Sequence, residues 1–351
     1  MTPAGRADAA RGGAPAGSPP GVWDLVVVAA VRAAAVAVVW AYGFRAISDD
    51  DYSRVVIAQG FAAAPALDPS GTSWLPLPFW LTGAAMLVAG PSLAVARAVS
   101  LLTAVGSALL VHAAARALGL DRRAALLAGV LGAALPYAAR LGVATIPDGY
   151  AAALITYAAA STAHERVRGR LAGALCITAA TLCRYEAWPV ALVVAVCAGL
   201  DAARRRAPWL AAVALLALSG PAAWLAHGAL AHGDPLFFVG RVTAYRAALG
   251  ATATAPLTAL AALLVALPRY EPELAALALL ALLGRRVARA PLGAGRYLRF
   301  AAALGALLTF VAAGECRNAA PTHHGERALL ALWLGLAIVT GAGLARAWQG
   351  G

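Results

Sequence analysis

The chain has 351 residues, of which 62% are hydrophobic and 13% charged, and its mean hydropathy is +0.76. A soluble domain carries about 25% charged residues, so a chain this apolar cannot cover a water-facing surface, and lipid must be its solvent over most of its length. The net charge of +12 comes from Arg alone, with no Lys. It falls in short clusters between apolar runs, the pattern of membrane loops rather than of a nucleic-acid surface.

Residues 1–21 are rich in Ala, Gly and Pro and carry Arg6 and Arg11. They are expected to form a disordered cytoplasmic tail ahead of a single transmembrane domain over 22–351. The apolar run 25–44 is too long for a signal-peptide core and has no convincing cleavage site, so it reads as an uncleaved first span with Arg32 near its inner end. A span needs about 20 apolar residues. Further spans are predicted near 93–117, 124–143, 149–163, 171–185, 187–200, 208–229, 272–284, 298–313 and 328–345. The fold class is then all-α, a polytopic bundle of about ten spans. Residues 76–89 are apolar too, but an extra span there would invert every later loop. Pro76 and Pro78 at its start and Gly90-Pro91 at its end fit a helix lying along the surface.

In this topology Arg122-Arg123, Arg166/Arg168/Arg170, Arg204-Arg205-Arg206, Arg285-Arg286 and Arg289 face the cytoplasm. Of the 16 acidic residues, eleven fall on the opposite side: Asp49, Asp50, Asp51, Asp68, Asp148, Glu186, Asp234, Glu271, Glu273, Glu315 and Glu326. Carboxylates contribute little to orientation, so their gathering there points to chemistry. Three external segments are long: 45–90, 230–271 and 314–327. Cys176, Cys183, Cys197 and Cys316 show neither CxxC nor Cys/His metal spacing, and no disulfide framework is expected.

The strongest local feature is Ser48-Asp49-Asp50-Asp51-Tyr52, directly after the first span. A carboxylate held at the membrane edge suits a general base toward a hydroxyl, while an acidic N-cap for a following helix explains the same residues. Asp148 offers a second carboxylate at the same depth, or another N-cap. Thr181-Leu182-Cys183-Arg184-Tyr185-Glu186 interrupts an apolar stretch, and an Arg and a Glu at the membrane edge must be paired or bound to a polar ligand. Arg140 and Arg327 are further external cations, and Arg suits phosphate through its planar fork. His323-His324 with Glu326 is a weak metal motif. Arg97 and His112 lie within the second span and either snorkel or face the bundle. Trp74-Leu75-Pro76-Leu77-Pro78-Phe79-Trp80 reads as an aromatic anchor at the level where a lipid-linked substrate would enter.

In their order along the chain, from about 22 to 345, these motifs resemble the GT-C class of membrane glycosyltransferases, which includes protein O-mannosyltransferases and lipid A aminoarabinose transferases. The resemblance rests on Asp49-Asp50-Asp51-Tyr52 after the first span, on Trp74–Leu81, on Arg97, on Arg122-Arg123 and on Asp148. Arg184-Tyr185-Glu186, Gly233–Phe238 and Pro321–Leu330 complete it. An Asp-rich motif replaces the more usual Asp-Glu pair, which leaves the base open among Asp50, Asp49 and Asp51. Some relatives carry a soluble C-terminal domain that is not evident here, which leaves the acceptor class open.

The resemblance implies transfer of a sugar from a polyprenyl phosphate, with inversion, on the extracytoplasmic face of a plasma membrane. A carboxylate, Asp50 first, would take the acceptor proton, and Arg184, Arg327 and Arg140 would stabilise the leaving phosphate. Asp148, Tyr185, Glu186, Trp74 and His324 would complete substrate binding. No cofactor is required in that reading, although a divalent metal is compatible with it. Its partners are the polyprenyl-phosphate sugar donor, a lipid, glycan or protein acceptor and membrane lipids, with no nucleic acid. A transporter or lipid flippase using Arg32, Arg97 and His112 is the alternative, and a non-catalytic envelope scaffold a third.

Overall fold

The computed structural model describes residues 21–250, 252–285, 294–317 and 325–350. Among these residues there are helices and no strand, as lipid demands, because a helix satisfies its own backbone polar groups in hydrocarbon. In chain order they are α1 (Val22–Ala41), α2 (Asp50–Ala63), α3 (Leu77–Ala89), α4 (Leu93–Ala117), α5 (Arg122–Ala134), α6 (Pro136–Leu141), α7 (Asp148–Ser161) and α8 (Val167–Thr181). The second half comprises α9 (Ala187–Arg205), α10 (Trp209–His232), α11 (Phe237–Ala248), α12 (Pro256–Tyr270), α13 (Pro272–Arg285), α14 (Ala294–Cys316), α15 (Gly325–Ala328) and α16 (Leu330–Gly350).

Six of them, α1, α4, α9, α10, α14 and α16, are long and apolar enough to cross a bilayer by length and composition. The chain is a multi-pass membrane protein. The spans predicted at 124–143, 149–163, 171–185 and 272–284 are shorter helices: α5 with α6, α7, α8 and α13. The helix expected at 76–89 is α3, of 13 residues, with Pro78 in its first turn. The tail expected over 1–21 lies outside the described residues apart from Gly21.

The two ends of the bundle differ in charge. At one end Asp201 accepts hydrogen bonds from Arg170 and from both terminal nitrogens of Arg299, at 2.7 and 2.8 Å. Arg122 forks onto Asp24 at 2.8 and 3.0 Å, Arg296 meets Glu165 at 2.8 Å, and Asp121 caps α5 by accepting from the Ala124 amide. Each described carboxylate at this Arg-rich end is therefore paired or capping. The opposite end carries Asp50, Asp148, Arg184, Glu186 and Arg327.

The segment 230–271 departs most from expectation. It contains α11 and α12, and α12 with α13 makes one broken traverse of the bundle. The Thr254 amide, just before α12, donates to the Glu315 carbonyl near the Asp50 end, while Ala281 of α13 packs on Gly343 towards the other. Glu271, expected among the external carboxylates, is fully buried at the break and accepts the Tyr137 amide at 2.8 Å. The reason is a second break nearby. α5 ends before Pro136, so the first amides of α6 lack intrahelical partners and need an acceptor in an apolar interior.

Arg32 and His112 face the interior. Arg32 donates to the Gly132 carbonyl at 2.7 Å and is attracted by Glu271, and a His112 ring nitrogen lies 3.1 Å from the Ala125 carbonyl. Arg97 stacks over Trp40 at 4.9 Å. Small residues allow close packing. A Cβ on Gly341 of α16 would lie 2.6 Å from the Ala128 amide nitrogen of α5.

Candidate active site

The loop from α1 to α2 gives its three adjacent aspartates three environments. Asp51 is buried, and its carboxylate accepts the amides of Ile47, Ser48 and Thr145 at 3.0, 3.3 and 2.7 Å. That carboxylate pins the α1–α2 loop to the segment before α7. Asp49 is exposed and makes no side-chain cap. Asp50 opens α2 with its side chain about one-third exposed at 32%, and its Oδ2 lies 3.3 Å from Arg327 Nη1. Arg327 also donates to the Ser48 hydroxyl at 3.1 Å, so α15 holds the acidic loop from across the molecule.

The turn between α8 and α9 supplies the next group. Arg184 Nε donates to Glu186 at 2.7 Å, and Arg184 Nη1 lies 3.4 Å from Asp148 at the start of α7. Asp148 therefore faces Arg184 rather than capping its own helix. Burial works against the Arg184 cation, but Asp148 and Glu186 outweigh it, and its pKa rises. Arg54, one helical turn after Asp50, lies 4.3 Å over the Trp74 ring. Its pKa is lowered by burial, with Asp148 opposing. Trp74 is thus a wall for a buried guanidinium.

These groups surround a cavity of about 440 Å³. Its lining includes five arginines (Arg54, Arg184, Arg241, Arg246 and Arg327) against two carboxylates, Asp50 and Glu186. Arg246 is paired with Glu315 at 2.7 Å, and Arg241 donates to the Gly71 carbonyl. Arg54 Nε, Arg184 Nη2, Arg327 Nε and Glu186 Oε2 are buried without hydrogen-bond partners. Buried polar atoms are ordinarily satisfied, and three of these four are guanidinium nitrogens, donors of the kind that anionic oxygens accept from. The Tyr185 ring belongs to this wall. Its hydroxyl donates to the Ser73 carbonyl at 2.7 Å, and the ring stacks on Phe238 at 4.4 Å. Tyr185 and Val242 also line a second, apolar cavity of about 330 Å³ with Trp188, Phe238 and Phe310.

Of the residues singled out in the sequence, Asp50, Trp74, Arg184, Tyr185, Glu186 and Arg327 line the larger cavity, with Asp148 behind Arg184. Arg140 does not. It is exposed on α6, away from this lining. His323 and His324 lie outside the described residues. Sequence reasoning missed Arg54, Arg241, Tyr245 and Arg246. Arg54 sits four residues after Asp50, the spacing that puts two side chains on one helix face, and that signal was available.

No family model and no curated protein sequence matches the chain. The solved structures do contain a similar fold: ArnT from Cupriavidus metallidurans, crystallised with undecaprenyl phosphate bound, with a TM-score of 0.59 and 16% sequence identity. The chain has a GT-C fold. The likeness covers 94% of this chain, which spans 61% of the length of ArnT.

Proposed function

We propose that the protein transfers a sugar from a polyprenyl-phosphate donor to an acceptor hydroxyl, on the extracytoplasmic face of a plasma membrane. The observation that carries this reading is Asp50, a partly exposed carboxylate at a cavity with a surplus of arginines. The adjoining apolar cavity beyond Tyr185 suits the first units of a prenyl chain, and the shared fold belongs to a protein that binds undecaprenyl phosphate.

In the proposed step the acceptor oxygen attacks the anomeric carbon from the face opposite the phosphate. The bond from that carbon to the phosphate oxygen breaks, Asp50 takes the acceptor proton, and the anomeric configuration inverts. Polyprenyl phosphate leaves with added negative charge. Arg184, Arg327 and Arg54, in the cavity wall, would stabilise it electrostatically. Asp148 and Glu186 hold Arg184 in place and keep it cationic, so their part is positioning. The leaving group is a phosphate met by guanidinium groups, so the step as proposed needs no metal.

The test is a panel of short-chain prenyl-phosphate sugars offered to the protein in vesicles with an envelope extract as acceptor. Release of prenyl phosphate together with a new glycosidic bond is the expected result. Movement of the lipid between leaflets without bond formation would replace this reading with that of a flippase.

A further inference from the structure

A second cluster lies at the Asp50 end, outside the groups used for transfer. Asp68, in the loop between α2 and α3, and His227 and His232, at the end of α10, place one ligand atom each within 4.8 Å of one another. The Asp68 carboxylate is oriented by its own loop, since its Oδ1 accepts the amides of Ser70 and Gly71 and the Ser70 hydroxyl at 3.2, 3.0 and 3.1 Å. Its Oδ2 faces His227 Nε2 at 3.6 Å. That distance is too long for a charge-assisted hydrogen bond, which closes to about 2.7–2.9 Å. It is close to the separation of about 3.3 Å between two ligands on a tetrahedral ion with bonds near 2.0–2.1 Å.

His227 Nε2 is buried with no hydrogen-bond partner. Both rings are fixed in orientation, His227 stacked on Trp224 at 4.9 Å and His232 on Phe237 at 4.1 Å. The hydrogen bonds that Asp68 Oδ1 accepts are the outer support that ligating carboxylates ordinarily have. From this geometry we propose that Asp68, His227 and His232 bind a divalent transition metal, zinc by donor chemistry, with water completing the tetrahedron on the exposed His232 side. Two imidazoles and one carboxylate suit zinc, and a three-residue site keeps an open position.

The ion would be a fastener. The loop that continues from Asp68 supplies Thr72, Ser73, Trp74 and Leu75 to the cavity wall, and α10 leads into α11, which supplies Arg241 and Arg246. A metal here clamps the two walls together without touching the transferring groups.

The intact protein, purified through a tag without histidine and stripped with a chelator, is titrated with Zn²⁺ and separately with Co²⁺. One Zn²⁺ per chain is expected, with the visible absorption of Co²⁺ in a low-coordinate nitrogen and oxygen site. His232→Ala and Asp68→Asn should each weaken Zn²⁺ binding by more than the roughly 10–100-fold that loss of an outer partner costs. Hydrogen exchange over 66–75 should slow when Zn²⁺ is added to the wild type and not to either variant. Circular dichroism and elution volume establish that the variants fold, and His232→Ala changes an exposed side chain at a helix end. Absence of stoichiometric binding, or equal binding by folded variants, overturns the proposal. Metal content is read without turnover, so this result and the transfer reading stand or fall separately.

Discussion

Asp49, Asp50 and Asp51 have the same side chain and adjacent positions, yet their surroundings divide the work. The carboxylate of Asp51 is committed to three backbone amides. Asp51→Ala leaves those donors without an acceptor, and a stability loss on the order of 1–3 kcal/mol is expected, read as a lower thermal midpoint of the detergent-solubilised protein. Cys183 lines the same cavity but is only 4% exposed, and burial drives its thiol pKa upward. Cys183 should therefore resist a membrane-impermeant maleimide at pH 7–8, as measured by mass spectrometry, and rapid labelling would show the cavity to be more open than described. Arg54 is the residue that transfer is expected to need and that the sequence motif did not announce. Arg54→Ala should lower donor turnover, leave Trp74 without its stacked cation, and blue- or red-shift the tryptophan emission.

At the scale of elements, helix ends and breaks decide where polar groups can sit. The turn at Arg184–Glu186 and the start of α7 at Asp148 were legible because apolar runs stop there, which fixes the depth of the charged residues. Glu271 was misplaced for the complementary reason. It was placed at the outer end of the segment 230–271, ahead of a span, whereas the structure uses the break between α12 and α13 to bring a carboxylate to the first amides of α6. Pairing between α6 and the α12–α13 break is a long-range fact that no local pattern contains. α11 was hidden in the same way: Arg241, Tyr245 and Arg246 share a helix face, but their segment was read as loop. Glu271→Gln retains an acceptor and should preserve folding. Glu271→Leu strands the Tyr137 amide and should reduce the yield of folded protein, measured by size-exclusion elution. Gly341→Leu should do likewise, because α5 and α16 meet backbone to backbone with no room for a side chain.

For the whole molecule, the order of charged residues and apolar runs along the sequence already pointed to two differently charged ends. One end holds Asp201, Arg170 and Arg299 in a closed cluster, and the other leaves Asp50, Arg184 and Arg327 around a cavity. Single replacements Asp50→Cys and Asp234→Cys, in a background without the native cysteines, should label from the extracytoplasmic side, and Glu165→Cys from the cytoplasmic side. Labelling of all three from one side would break the proposed topology. The central claim is narrower, and the turnover of Asp50→Asn beside Asp49→Asn tests it most directly. With an active prenyl-phosphate sugar, Asp50→Asn should release prenyl phosphate roughly 10²–10⁴-fold more slowly than the wild type, while Asp49→Asn stays near the wild-type rate. Full activity in a folded Asp50→Asn protein would contradict the account.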